Sequence, residues 1–216
     1  MSDAELTADR SGQLSTSGQR WVLVILCVTQ IVSRRVTAGG GIRDRGWRRL
    51  DPIEISDEMK RAQAEFRELI NKATPQELRR RSDGTRWTNR QLLFHMVFGY
   101  LIVRTLLPLV HVLGRLGLSR GFAATLNASR HPFHVINYVG SCGGGQVLTP
   151  RAMAALLDRT IRVLERKLAA ESGSSLALTM HFPTAWDPYF KPTMSVLDVY
   201  HFATQHFDHH RRQLTL

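Results

Sequence analysis

The sequence predicts an all-α protein: a four-helix bundle with long crossover connections and an inserted, partly helical segment. Three observations point there. Four long stretches carry apolar residues at helical spacing, Ser or Thr capping signals mark their starts, and strand-like alternation is almost absent.

The first stretch opens at Ser56 as helix cap and carries Met59, Phe66, Leu69 and Ile70 on one stripe to about Lys72. Thr74-Pro75-Gln76-Glu77 is a capping box with proline at the first helical position, starting a short basic turn through Arg81. Ser82-Asp83-Gly84 interrupts the chain, and Thr88 with Gln91 forms a second capping box. The helix it opens, Asn89 to Leu116, is expected to kink or divide at Pro108. This stretch is apolar enough to raise a membrane span, but His95, Arg104, His111 and Arg115 interrupt it, so it reads as a bundle core helix.

Gly121 to Arg130 suggests one or two helical turns, His131-Pro132 a break, and Gly140 to Gly145 a loop. That glycine run is no phosphate cradle, since no strand precedes it and no Gly-Lys-Ser/Thr follows. Thr149-Pro150 caps a helix from Arg151 to Ala170, Glu171 to Asp187 is a connection, and Thr193 caps a last helix from Met194 to about Leu214. Connections of about 20–30 residues favour a crossover over a simple up-and-down bundle.

Domain organisation follows from a change in composition. Residues 1–50 read as a poorly structured extension holding a short apolar run, residues 21–32, and residues 51–216 read as the bundle domain. A bilayer span needs about 18–20 apolar residues, more than this run offers. It is long enough for a signal-peptide core, but the acidic leader of Asp3, Glu5 and Asp9 and the pair Arg34-Arg35 speak against one. The expected location is therefore the cytoplasm, with membrane attachment or export through residues 21–32 as the alternative.

Composition excludes several function classes. At 43% apolar and 22% charged residues the chain is ordinary globular material. Two cysteines, Cys27 and Cys142, make neither a redox pair nor a four-cysteine zinc site nor a disulfide framework. The net charge of +11 attracts anions without choosing among them. Residues 1–50 hold eight arginines and four acids, leaving +7 spread over the rest, and no nucleic-acid-binding signature accompanies it. Nucleic acid is not an expected partner.

The last helix carries the candidate chemistry. His206 and His210 stand one turn apart on one face, about 6 Å apart at Cβ, where two imidazoles can grip one divalent ion. His209 lies on the flank of that face and His201 nearly opposite. A third ligand should come from a neighbouring helix, and His95, between Phe94 and Met96, is the best donor. Three neutral histidines leave a metal with open positions, the catalytic pattern. His131 and His134, on either side of Pro132, suit a structural or substrate-facing role.

Two segments resemble a known family. Trp87-Thr88…Gln91-Leu92-Leu93-Phe94-His95 is similar to the segment opening the second helix of the DinB-like (YfiT-like) superfamily, and His206…His210…Gln213-Leu214 to that family's terminal motif. The resemblance runs from about Ile55 to Leu216. It implies a four-helix bundle that binds a divalent metal, zinc or nickel foremost, through His95, His206 and His210. It also implies a transferase using a low-molecular-weight thiol such as mycothiol or bacillithiol on a small-molecule substrate. The alternatives are a metal-dependent hydrolase and a non-catalytic metal-binding bundle; a homodimer is compatible with each.

The residues narrow the chemistry further. A metal-bound thiol is a thiolate, so no protein cysteine is required, and Cys142 lacks an activating neighbour in sequence. Asp208 projects away from the histidine face, whereas Asp198 comes within reach as an indirect partner of the ligands. Tyr100, Tyr138 and Tyr189 are candidates for orienting a substrate, and Arg211 and Arg212 for recruiting an anion or for a solvated helix end.

Overall fold

In a computed structural model of the chain, residues 50–216 are described; the expected extension, with its apolar run at 21–32, lies outside them. Helix α1, Pro52–Lys72, is followed by the short α2, Pro75–Arg79, and the long α3, Asn89–Leu116. Next come α4, Ser119–Ala128, α5, Arg130–Val147, and α6, Pro150–Ala170. A four-residue turn of helix, α7, Gly173–Leu176, leads to strand β1, Thr179–His181, which pairs antiparallel with β2, Thr193–Ser195, just before α8, Val196–Arg211.

Four of the five long helices pack in a closed cycle, with α1 against α6 and α8 and α3 against the same two, and the fifth, α5, lies on α3. Cross-links fix their directions. Ser56 bonds Glu165 and Gln63 bonds Asp158, so α1 and α6 run antiparallel. His201 meets Glu58 and Arg211 meets Glu65, so α1 and α8 run parallel. On α3, His95 faces His210 and Tyr100 bonds Thr204, an antiparallel register with α8. It follows that α3 and α6, neighbours in the cycle, run parallel. A parallel pair cannot be joined by a tight turn, so the chain must return along the bundle between them. α4 and α5 make that return, which is the crossover the connection lengths predicted.

Side chains from α1, α3, α6 and α8 fill the interior; Ile55, Met59, Phe66, Leu92, Leu157 and Phe207 are wholly buried. Burying one such side chain contributes about 1.5–3 kcal/mol. α3 is long and apolar enough to cross a bilayer, yet its Leu93, Met96, Val97 and Tyr100 are fully enclosed by the bundle, as a core helix requires.

Several local expectations shift. Asp51, not Ser56, caps α1, with Pro52 behind it; Ser56 is spent on Glu165. Pro108 sits inside a continuous α3. The residue is exposed, so the Arg104 carbonyl that its missing N–H leaves free lies toward water. His131-Pro132 falls in the first turn of α5, where proline is tolerated, and does not break the chain. The expected Gly140–Gly145 loop is helical. Gly140, Ser141, Gly144 and Gly145 form a buried stripe of small residues against α3, where a Cβ at Gly144 would come within 2.2 Å of the Phe94 ring. Close helix approach, not backbone freedom, explains those glycines. Ser195, not Thr193, caps α8, because Thr193 pairs with His181 in the two-stranded sheet.

Candidate metal centre

The site lies between the start of α3 and the end of α8, and the chain ends are stitched together to hold it. Asn89, fully buried, donates from its amide to the Glu77 carbonyl and to Thr215 Oγ1, while its own oxygen accepts from the Thr215 N–H. Asp83 N–H donates to the Gln213 carbonyl across the turn in which Gly84 takes a φ of 64°. These bonds pin residues 213–215 to the first turn of α3, and the antiparallel register then sets His210 beside His95 and His206 beside Gly99. A Cβ at Gly99 would stand 2.6 Å from Cδ2 of His206, so only glycine leaves that imidazole its place.

His95, His206 and His210 each offer one ring nitrogen, and the three lie within 4.8 Å of one another. Nε2 of His95 and Nε2 of His210 are 3.1 Å apart. Two nitrogens bound at about 2.0–2.1 Å to one tetrahedral ion stand about 3.3 Å apart, so this pair already has the spacing of ligands. Trp87 stacks on His95 at 4.4 Å between centroids and closes one side.

The other nitrogen of each ring is held. Nδ1–H of His206 donates to Asp187 Oδ2 at 3.1 Å, and Nδ1–H of His210 donates to Gln213 Oε1 at 2.6 Å. A carboxylate and an amide oxygen only accept, so both rings are fixed as Nδ1–H tautomers with the Nε2 lone pair turned inward. Nδ1 of His95 meets Ser141 Oγ at 3.1 Å. A hydroxyl both donates and accepts, which makes His95 the one ring of the three free to exchange tautomers. With Ser141 donating, Nε2–H of His95 bonds His210; with Ser141 accepting, all three Nε2 lone pairs converge.

Burial sets the electrostatics. It holds His95 far below the ordinary imidazole value, helped by the neighbouring His206 and His210. Burial and His206 together push His210 down to about 3, and the same two causes lower His209. Burial works to raise the Asp187 carboxyl, but the His206 hydrogen bond and charge outweigh it and the net direction is down. Nε2 of His206 is buried with no hydrogen-bond partner. Such an orphan costs about 1–3 kcal/mol, and a bound cation would satisfy it. Inward-facing ring nitrogens, anchored outer nitrogens and one orphaned Nε2 fit a divalent metal.

The remaining candidates separate. His209 bonds the Tyr189 hydroxyl at 3.3 Å, and Arg212 reaches the same hydroxyl. Tyr138 stacks on Trp87 with Arg86 over its ring. His201 pairs with Glu58 away from the site, and His131 and His134 are exposed on α5. Tyr100 is buried against Thr204 and does not face a substrate. Asp208 pairs with Arg61, and Arg211 with Glu65. Asp198, expected behind the ligands, instead caps α8 and pairs with Lys191. Cys142 is half-buried on α5, one residue past Ser141. Sequence reasoning missed Ser141 and Asp187. Ser141 was hidden in an apparent loop, where the recurrence of small residues at every fourth position could have placed it on a helix; nothing local marks Asp187.

The fold and the site define a class: an α-helical bundle whose three-histidine group fits a metal-binding role. The model of the DinB superfamily matches residues 58–214, and the chain belongs to that superfamily. No curated protein and no solved structure matches the chain.

Proposed function

We propose that the chain is a divalent-metal-dependent enzyme whose ligands are His95, His206 and His210, and that it transfers a low-molecular-weight thiol to a small electrophilic substrate. One observation carries the reading: three imidazoles present Nε2 to a common point while Asp187, Gln213 and Ser141 hold their outer nitrogens. When bound, a zinc or nickel ion on three neutral nitrogens keeps its full charge and acidifies a thiol or water in its open positions.

The chain supplies the rest. Asp187 and Gln213 orient their rings, and Ser141 rotates its hydroxyl to let His95 turn its lone pair inward. Trp87 and the buried flank keep water from one side. Tyr189 and Arg212, beside His209, offer a hydroxyl and a cation to an anionic group on the thiol or substrate. Low-molecular-weight thiols are kept reduced inside the cell, which supports a cytoplasmic location.

The test pairs elemental analysis of purified protein with thiol-conjugation assays on electrophiles. One metal per chain with thiol-dependent turnover is the expected result. Metal with ester or amide hydrolysis replaces transfer by hydrolysis, metal without turnover leaves a non-catalytic binder, and no metal removes the proposal.

A further inference from the structure

The charge of the folded domain is not spread. Over residues 51–83 and 158–216 Lys and Arg balance Asp and Glu, fourteen of each, so the whole +7 of residues 51–216 falls between Asp83 and Asp158, where seven arginines meet no acidic residue. Five of the seven, Arg90, Arg104, Arg115, Arg120 and Arg130, lie on α3, α4 and α5. On the balanced side, Arg61, Arg67 and Arg211 each pair with a carboxylate. Among the described residues, Arg104, Arg115, Arg120 and Arg130 have no ion-pair partner.

The same region exposes apolar side chains. Close packing at Gly144 and Gly145 lays α5 over Phe94 and Gln91 of α3, and Ser141 meets His95, an antiparallel register. At 1.5 Å per residue on both helices, the first residue of α5, Arg130, reaches back to about residue 106 of α3. The stripe that α5 covers runs on beyond that level: Thr105, Pro108, Val112 and Leu116 return to the azimuth of Phe94 within about 40°, and all four are exposed. Val112 is 52% and Leu116 62% exposed, with Leu118 at 46% in the turn that follows. On the side of α5 opposite its glycine stripe, Val135 and Val139 are 49% and 56% exposed.

We infer that the outer surface of α3, α4 and α5 docks on an anionic lipid bilayer, with Val112, Leu116 and Leu118 entering the interface and Arg115 and Arg130 meeting headgroup phosphates. Apolar area and unopposed arginines on one helical surface are the two contributions that interfacial binding combines. A second copy of the chain is a poorer occupant, since it would set arginines against arginines. Nucleic acid is poorer as well, because the exposed apolar side chains around Arg115, namely Val112, Leu116 and Leu118, are aliphatic and give bases nothing to stack on. The sequence left membrane attachment as an alternative through residues 21–32; the exposed face supplies a separate reason for one. Val112 lies seventeen residues beyond His95, about 25 Å along the helix, so the inference does not depend on the metal centre.

Sedimentation of the full-length protein with vesicles tests it. Phosphatidylcholine vesicles containing about 30% phosphatidylglycerol should bind at least about tenfold more tightly than phosphatidylcholine alone. Val112→Asp with Leu116→Asp should reduce that binding at least about tenfold, and Arg115→Gln and Arg130→Gln about fivefold each. Unchanged circular dichroism and metal content keep these losses assigned to the surface. Equal binding to neutral vesicles overturns the inference, as does no binding. So does binding that survives both sets of variants, which would assign it to residues 21–32. A duplex DNA that displaces the vesicles, or a dimer that Leu116→Asp dissociates without any vesicle binding, overturns it too.

Discussion

At the start of α3, His95 turns one nitrogen to a hydroxyl that can donate or accept and the other to a second imidazole. Sixteen residues further along the same helix, His111 turns Nδ1 to the Leu107 carbonyl and Nε2 to the Glu171 carboxylate, with Ser175 beside it. The Leu107 carbonyl only accepts, so it holds Nδ1–H of His111, while Ser175 and Glu171 engage Nε2; this ring is a connector between α3 and the segment after α6. Both partners of His95 leave a lone pair to spare. The difference shows that a histidine on an apolar helix is defined by what its two nitrogens meet: a second imidazole and a hydroxyl at His95, a backbone carbonyl and a carboxylate–hydroxyl pair at His111. The surroundings differ in the same sense: small residues and a glycine bring α5 and α8 tight against the first end of α3, while the second end is partly uncovered and carries Arg104 and Arg115, which have no ion-pair partner among the described residues.

The sharpest way to break the comparison is to remove one ring at each end. His206→Ala should abolish stoichiometric metal binding with most helical content retained, whereas His111→Ala should leave one metal per chain and lower thermal stability; elemental analysis and circular dichroism separate the two. A metal retained by His206→Ala would make the ligand assignment wrong.

Acid gives the next largest effect. His95 and His210 are depressed in the folded chain, so below the ordinary imidazole value the unfolded chain takes up protons that the folded chain refuses. Stability of the metal-free protein is therefore full above about pH 6.5 and is lost as pH falls toward about 3, the value for His210. His210→Gln should flatten this limb in denaturant titrations across that range, and an unaltered slope would show that burial of the ring is not its source.

Ser141→Ala removes the hydroxyl that turns the His95 lone pair inward. A loss of about ten- to a hundredfold in metal affinity is expected, the usual cost of losing a ligand's outer partner. Competition titration with a chromophoric chelator measures it, and unchanged affinity would mean that His95 needs no orientation.

The smallest effect contrasts two glycines of α3. Gly99→Ala forces the His206 imidazole aside, costing about 1–3 kcal/mol as overpacking does, with weaker metal binding. At Gly114 the added Cβ would meet Leu178 Cγ at 2.9 Å, the end of a side chain that can turn away. Gly114→Ala should stay nearer the parent in thermal denaturation; equal losses would remove the special role of Gly99.

Local signals carried a large part of this molecule. Both capping boxes, at Thr74 and Thr88, stand where the sequence puts them, because a cap needs only residues three apart. The long periodic stretches became α1, α3, α6 and α8 for a similar reason: an amphipathic stripe is a property of one segment. The pair His206 and His210 was legible as one helical turn. His95 was picked as the third donor from its place on a neighbouring apolar helix, and the motif resemblance then named the same residue.

Tertiary structure decided whatever depended on a partner far along the chain. The glycines of α5 look like a loop until α3 is laid against them, since their small size matters only when another helix approaches. Thr193 looks like a cap until His181 pairs with it. Asp187 and Ser141 acquire their roles from rings 19 and 46 residues away, and the unopposed arginines of α3, α4 and α5 share a surface only once those helices fold together. The sequence alone determined the periodic stretches of α1, α3, α6 and α8, the caps at Thr74, Thr88 and Thr149 and the metal-capable pair on α8, because those follow from contacts within a few residues. Which nitrogens face inward, what anchors them and which face stays bare were settled by packing, because hydrogen bonds and burial depend on distance in space and not along the chain.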